Sequence, residues 1–210
     1  MPCTEFALLQ LKSGYDELEF LEVLVQGLEV QDRWVRLNQP QAFCSTVTPN
    51  VSTMYIQRSD PAYVLLTAPW DSPEAHHEWI QSSDNQLVFG KMSGFLAPGP
   101  EATLLFHMNA VGETQYVCEE FAGEKRVNIC RMSVDPARKK EVEDRYRGIE
   151  AEILRKYGSK PRIWGGWRIE TADGEEFVVF WSDKVGEAEL QELFSQCEIK
   201  ERRTVELIVP

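Results

Sequence analysis

Apolar positions along the chain switch between two periods, and the switches mark out a repeating order of elements. Residues 5–12 form an apolar run closed by Ser13-Gly14, the signature of a strand and its turn. Asp16 then stands where a helix cap belongs. Leu21, Leu24, Val25 and Leu28 follow at i, i+3, i+4 and i+7, an apolar stripe about two turns long. Pro40, Pro49 and their polar neighbours predict a loop over 37–50, with strands at about 51–58 and 63–70 around Ser59-Asp60-Pro61. Ser72-Pro73-Glu74 opens a second helix running to about Ser82, because serine caps well and proline fits a first helical turn. A Gly/Pro patch covers 93–100, and 103–108 reads as a fourth strand.

The order then returns. Beyond a polar stretch at 109–124, residues 127–132 read as a strand, and Asp135-Pro136 starts a helix whose Val142, Tyr146, Ile149 and Ile153 share one face before Gly158 ends it. Strands over 163–170 and 176–182 meet through Asp173-Gly174, a hairpin signal. A helix over 187–197 turns Leu190, Leu193 and Phe194 inward, and 203–209 closes the chain as a strand. The prediction is an α+β fold of two tandem ferredoxin-like βαββαβ repeats, 1–108 and 125–210, joined by a connection at 109–124. Residues 51–83 lie on 164–196 without a gap at an offset of 113. Identities such as Glu74/Glu187 and Ser82/Ser195 are sparse, so coincidence of pattern carries the repeat. Each four-stranded sheet has helices on one face and an apolar face opposite. Burying those two faces together gives an intrachain version of a dimeric α+β barrel.

Composition narrows the function classes. With 43% apolar residues, the 210-residue chain can fill a proper core, and a formal charge of −12 repels phosphate backbones and anionic membrane surfaces. Neither nucleic acid nor membrane is an expected partner. The opening Met-Pro-Cys-Thr-Glu-Phe has no basic or apolar leader character, so a cytoplasmic protein is expected. Cys3, Cys44, Cys118, Cys130 and Cys197 are scattered without a CxxC pair, which suggests free thiols rather than disulfides or zinc. No GxGxxG, P-loop or GxSxG pattern occurs, so dinucleotide binding, P-loop hydrolysis and the hydrolase elbow lack their warrants.

The segment Tyr63-Val-Leu-Leu-Thr-Ala-Pro-Trp70-Asp-Ser-Pro-Glu-Ala-His76-His77-Glu-Trp79-Ile80 resembles the antibiotic biosynthesis monooxygenase-like family of dimeric α+β barrels. That family typically shows an apolar strand ending in Trp, then Ser and Glu, then a helix carrying His or Trp. The resemblance implies a small-molecule pocket between sheet and helices. It also implies cofactor-free oxygenation of aromatic polyketides, or related isomerisation and decarboxylation, although some members lack known catalysis. The haem-degrading branch resembles this segment too, but its haem-ligand His would fall near 88–90, where no His stands.

At the offset of 113, His76 falls opposite the polar Glu189 and His77 opposite Leu190 of the apolar stripe. His77 is therefore expected to point inward and His76 to solvent. His77 serves as a general base toward a phenol or activated C–H, or it packs as a core histidine bonded to backbone. His107 lies on the fourth strand, at the pocket or at a sheet edge. Trp70, Trp79 and Trp164 offer aromatic walls for a planar ligand or ordinary core packing. The paired glycines of Trp164-Gly-Gly-Trp167-Arg168 mark a bulge, a barrel corner or a close approach of ligand or backbone. Tyr55 and Arg168 occupy matching hairpin positions, Asn128 and Arg131 lie on the strand opening the second half, and Tyr146 offers a phenol. The histidines lack HxH or HExxH spacing, so neither metal nor other cofactor is expected. The expected ligand is a hydrophobic or aromatic small molecule, bound by a monomeric pseudo-dimer or a homodimer. The competing reading is a non-catalytic ligand-binding or stress-associated barrel, with haem handling third.

Overall fold

The computed structural model describes residues 1–39, 52–121, 123–158, 162–170 and 174–209. The first half runs β1 (Cys3–Gln10), α1 (Glu17–Asn38), β2 (Thr53–Gln57), β3 (Tyr63–Trp70), α2 (Pro73–Gln81), α3 (Ser83–Met92) and β4 (Thr103–Ala110). The second runs α4 (Val117–Glu120), β5 (Arg126–Val134), α5 (Lys139–Tyr157), β6 (Ile163–Arg168), β7 (Glu175–Ser182), α6 (Gln191–Phe194) and β8 (Glu198–Val209). All eight strands pair antiparallel in the closed order β1-β3-β2-β8-β5-β7-β6-β4, so the predicted barrel within one chain is present. Closure removes the open sheet edges that each half would otherwise expose.

Strand alternation divides the core into layers. Phe6, Leu8, Phe106, Met108, Trp164 and Phe180 project into the barrel and fill it, with the Phe6 and Phe106 rings stacked at 4.7 Å. Outside the second sheet, Tyr146, Trp167, Phe177, Trp181 and Phe194 pack the space beneath α5 and α6. Outside the first sheet, α1, α2 and α3 cover Glu5, Ala7 and Leu9 of β1 less completely and leave a cavity.

Local chemistry places these elements much as the sequence predicts. Asp16 accepts the Glu19 N–H at the start of α1, Ser72 accepts the Ala75 N–H before α2, and Gly158 ends α5 at φ 94°. Three expectations need correction. The first helix is far longer than its clear stripe, reaching Asn38, because buried Gln31 and Val35 extend the covered face. A third helix, α3, stands at 83–92 where none was predicted; Ser82 caps it, and it buries none of its own residues. The 187–197 helix begins as a 3₁₀ turn over Glu187–Leu190. Pro40, Cys44, Pro49 and Asp173 lie outside the described residues.

Candidate functional site

The cavity has a volume of about 360 Å³ and opens between α1, α3 and the outer face of the first sheet. Leu9, Leu24, Met54, Leu66, Trp79 and Phe89 make it largely apolar, and Glu5 and His76 are the two ionisable groups on its wall among the described residues. A β-carbon at Gly27 of α1 would lie 2.8 Å from Val88 Cγ1, so glycine lets α3 close this tightly over the cavity.

Glu5 and His76 begin a line of four side chains. Glu5, on the outer face of β1, sits opposite His107 in the β1–β4 ladder and takes a hydrogen bond of 2.9 Å from Trp70 Nε1. His76 stacks on the Trp70 ring at 4.4 Å and 14° and points Nε2 toward Glu5 Oε2, 3.5 Å away. Its Nδ1 lies 2.7 Å from His107 Nε2, and His107 Nδ1 lies 2.5 Å from Glu170 Oε1. Glu170 Oε2 also accepts the His107 backbone N–H at 2.9 Å. Glu5, His76 and His107 are buried, whereas the Glu170 side chain is 44% exposed, so the line runs from cavity to surface.

Burial sets the charges along this line. Desolvation pushes the Glu5 carboxyl up to about 7, against a smaller lowering from the Trp70 bond. Desolvation, then the electrostatic influence of the neighbouring His107 and His77, push His76 down to about 3. The Glu5–His76 contact is therefore not an ion pair at neutral pH; it is a neutral imidazole beside a carboxyl that titrates near neutrality. Desolvation also works to raise Glu170, but the two bonds from His107 outweigh it and keep this carboxyl below its usual range. Perturbed groups of this kind, placed at a cavity, are the usual mark of proton-transfer chemistry.

The Glu5 shift has a measurable consequence. A carboxyl raised from 4.5 to about 7 on folding contributes stability in full below 4.5, and that contribution is lost as pH rises through about 7. Glu5→Gln removes the titration, so the melting temperature of the variant minus that of wild type is expected to climb between about pH 5 and about pH 8. Thermal melts across that range check it, and a flat difference would show that Glu5 ionises at its ordinary value.

The structure brings together a different set from the one read in sequence. His77 is exposed and bonds Gln81 within its own helix, while His76 is 2% exposed, which reverses the predicted pair. The gapless offset fails between strand and helix. One residue separates β3 from the Ser72 cap, but three separate β7 from Gly186 at the corresponding position. Counted from the caps, His76, not His77, corresponds to buried Leu190. Trp79 lines the cavity, Trp70 stands behind His76, and His107 carries the line outward. The remaining candidates stand elsewhere. Tyr55 and Trp164 face the barrel interior, and Tyr146 lies beneath α5 bonded to Glu150. Asn128 bonds Asp183 and Thr204, and Arg131 and Arg168 both reach the buried Glu176. These residues stand at the barrel lumen or in the second half rather than at the cavity.

Glu5, His76 and Glu170 escaped sequence reading, though two left a signal. Glu5 interrupts an apolar strand on the face shared with Ala7 and Leu9. His76 falls three and four residues before Trp79 and Ile80 on the inner face of α2. Glu170 left none, because its contact depends on how β6 meets β4. The four groups form a line rather than a cage, and no metal-holding group of three or more His, Cys, Asp or Glu occurs among the described residues. A haem fits poorly here. The imidazole nitrogen turned to the cavity has Glu5 3.5 Å away, and among the described residues no lysine or arginine lines the wall to pair with carboxylates. Burial raises the Cys3 thiol to about 12 and the Cys130 thiol to about 11, which leaves both poor nucleophiles. No described helix is long and apolar enough to cross a membrane.

No family model matches the chain, and no curated protein matches it in sequence. Solved structures match it in shape. An anthrone oxidase-like protein superposes with a TM-score of 0.60 at 9% identity, over 99% of this chain and 92% of that one. A candidate monooxygenase from Lactobacillus acidophilus NCFM gives 0.57 at 10% identity, over 99% and 93%. A mutant chlorite dismutase from Candidatus Nitrospira defluvii gives 0.55 at 10% identity, over 100% and 92%. At such identities the likeness is one of fold: the chain is built as a dimeric α+β barrel, similar in architecture to monooxygenase-like and chlorite dismutase-like proteins.

Proposed function

We propose that the chain is a cofactor-independent enzyme that moves a proton to or from a neutral, largely apolar aromatic or polyketide-like molecule held in the first-half cavity. The observation that carries this reading is the buried Glu5–His76 pair on an otherwise apolar wall. A neutral imidazole with its Nε2 lone pair turned to the cavity accepts a proton from a weakly acidic C–H or phenol, and the Glu5 carboxyl, titrating near neutrality, returns one. The low-polarity cavity strengthens these interactions. Among the described residues the wall offers no cation to anchor a carboxylate or phosphate, which selects neutral ligands. The carbanion or phenolate formed this way is the species that dioxygen oxidises, so oxygenation of an anthrone-like methylene fits the site and agrees with the resemblance of residues 63–80. The same first step also serves isomerisation.

Native mass spectrometry of the purified chain and dioxygen uptake with anthrone as probe test the reading. A bound neutral aromatic and protein-dependent uptake are expected. A Soret band from stoichiometric haem, or a cavity that takes up no neutral aromatic at all, would overturn it.

A further inference from the structure

The second half of the chain reaches into the first-half site through the Glu170 side chain. Glu170 follows β6, and the β4–β6 seam that carries it pairs Met108 with Arg168 and is extended by the Ile169 N–H donating to the His107 carbonyl at 2.8 Å. That seam sets the Glu170 carboxylate against both the backbone and the ring of His107. We propose that Glu170 is a positioning residue for His76 and that, with His107, it forms a relay carrying protons between the cavity and solvent. The proposal rests on the proton-transfer reading above.

The argument is one of donors and acceptors. An ionised carboxylate only accepts, so the His107 nitrogen facing Glu170, Nδ1, must carry a hydrogen. A neutral His107 then has a bare Nε2, which can only accept, so the His76 nitrogen facing it, Nδ1, must also carry a hydrogen. That leaves the His76 Nε2 lone pair free, and Nε2 is the atom turned to Glu5 and the cavity. Without the carboxylate nothing fixes the sequence. If His107 held its proton on Nε2, His76 would have to present Nδ1 as the acceptor and put its own proton on Nε2, which would disarm the base. The tautomer of a buried imidazole is commonly set this way by the partner of its other nitrogen.

The same line conducts. When a substrate proton bonds to His76 Nε2, its electron pair stays on the substrate. The His76 Nδ1 proton moves to His107 Nε2, and the His107 Nδ1 proton moves to Glu170 Oε1. One proton leaves the cavity, one negative charge passes from Glu170 to the substrate, and both imidazoles end neutral. The line resets by running backward: Glu170 returns a proton to His107 Nδ1, His107 passes its Nε2 proton to His76 Nδ1, and His76 gives its Nε2 proton to the product anion, while solvent exchange at the exposed end replaces the proton that Glu170 holds in between. The charged and titratable groups around it are Glu5 from β1, His77 and Glu74 from α2, and Cys3 beside Glu170.

Long-range proton–nitrogen spectra of the full chain, labelled with ¹⁵N-histidine, test this without requiring turnover. In the wild type at neutral pH, His76 and His107 are both expected as Nδ1–H tautomers. Glu170→Ala is expected to shift both rings together toward Nε2–H, and Glu170→Asp to give an intermediate mixture. A wild-type His107 carrying its proton on Nε2 overturns the proposal with no variant needed, as does Glu170→Ala with both tautomers unchanged. If anthrone is turned over, Glu170→Ala is also expected to lower kcat about tenfold with little change in KM. Correct tautomers without turnover of any neutral aromatic would fault the proposed function and leave the positioning role standing.

Discussion

Replacing His76 with alanine is expected to lower any turnover of the anthrone probe by about 10²–10⁴-fold, whereas His77→Ala is expected to leave it unchanged. Both residues sit on α2, one position apart, and the helix turns them about 100° from each other. His76 enters the closed interface, stacks on Trp70 and presents Nε2 to the cavity; His77 faces solvent and touches Gln81. Only the first can meet a substrate. The alanine also removes a stacked ring, so dioxygen uptake should be measured beside thermal melts, with His76→Gln filling the space without supplying an imidazole lone pair. Loss of turnover in both His76 variants, with melting close to wild type for His76→Gln, is the expected pattern. Inactivation by His77→Ala, with His76→Gln active, would place the chemistry on the opposite face of the helix.

That contrast shows how far a single sequence reaches. Element order, caps and apolar stripes are local properties, and they specify a closed barrel from either half because each sheet leaves one apolar face uncovered. Which of two adjacent histidines turns inward is also local, but it depends on where the helix starts. Serine capping at 72 fixes that start; an alignment to a half whose strand-to-helix turn is two residues longer does not. The partner of His107 is a different matter. Glu170 is 63 residues away, and its approach depends on the register of β4 against β6, a pairing between the halves that neither strand's pattern specifies.

The two halves share an element order and differ in what lies between sheet and helix. In the second, aromatic side chains fill that space: Tyr146 contacts Phe177 edge to face, Trp181 lies 5.6 Å from Phe194, and Trp167 packs beside Phe177 on the sheet at 4.8 Å. In the first, smaller residues such as Ala7 and Gly27 line the corresponding space, and polar Glu5 and His76 replace part of the apolar layer. Burying two ionisable groups costs stability that an apolar pair would not, and the filled second half supplies a rigid frame against which Glu170 can be held.

Gly166→Ala is expected to destabilise the chain by about 1–3 kcal/mol, lowering the melting temperature by roughly 2–4 °C for each of those kcal/mol. A β-carbon there would meet the Trp164 ring inside the barrel and lie 2.8 Å from the backbone carbonyl oxygen of Asn109 on β4. A flexible side chain could swing aside, but a carbonyl in the β4–β6 ladder moves only with its strand. The paired glycines at 165 and 166 thus answer a close approach of backbone and rings. Gly165 lies under Tyr146 and Phe177, at 2.6 and 2.7 Å from its would-be β-carbon. Gly148, within α5, provides the opposite case: nothing lies within 4 Å of its β-carbon position, so Gly148→Ala should stabilise the helix by about 0.5–1 kcal/mol. Melts of the two variants in parallel should move in opposite directions. Because the displaced seam also carries Glu170, Gly166→Ala should loosen the His107 tautomer as it destabilises the fold, whereas Gly148→Ala should not. Equal melting of Gly166→Ala and wild type would mean that β4 and β6 have room to spare, and the register that brings Glu170 to His107 would need another source.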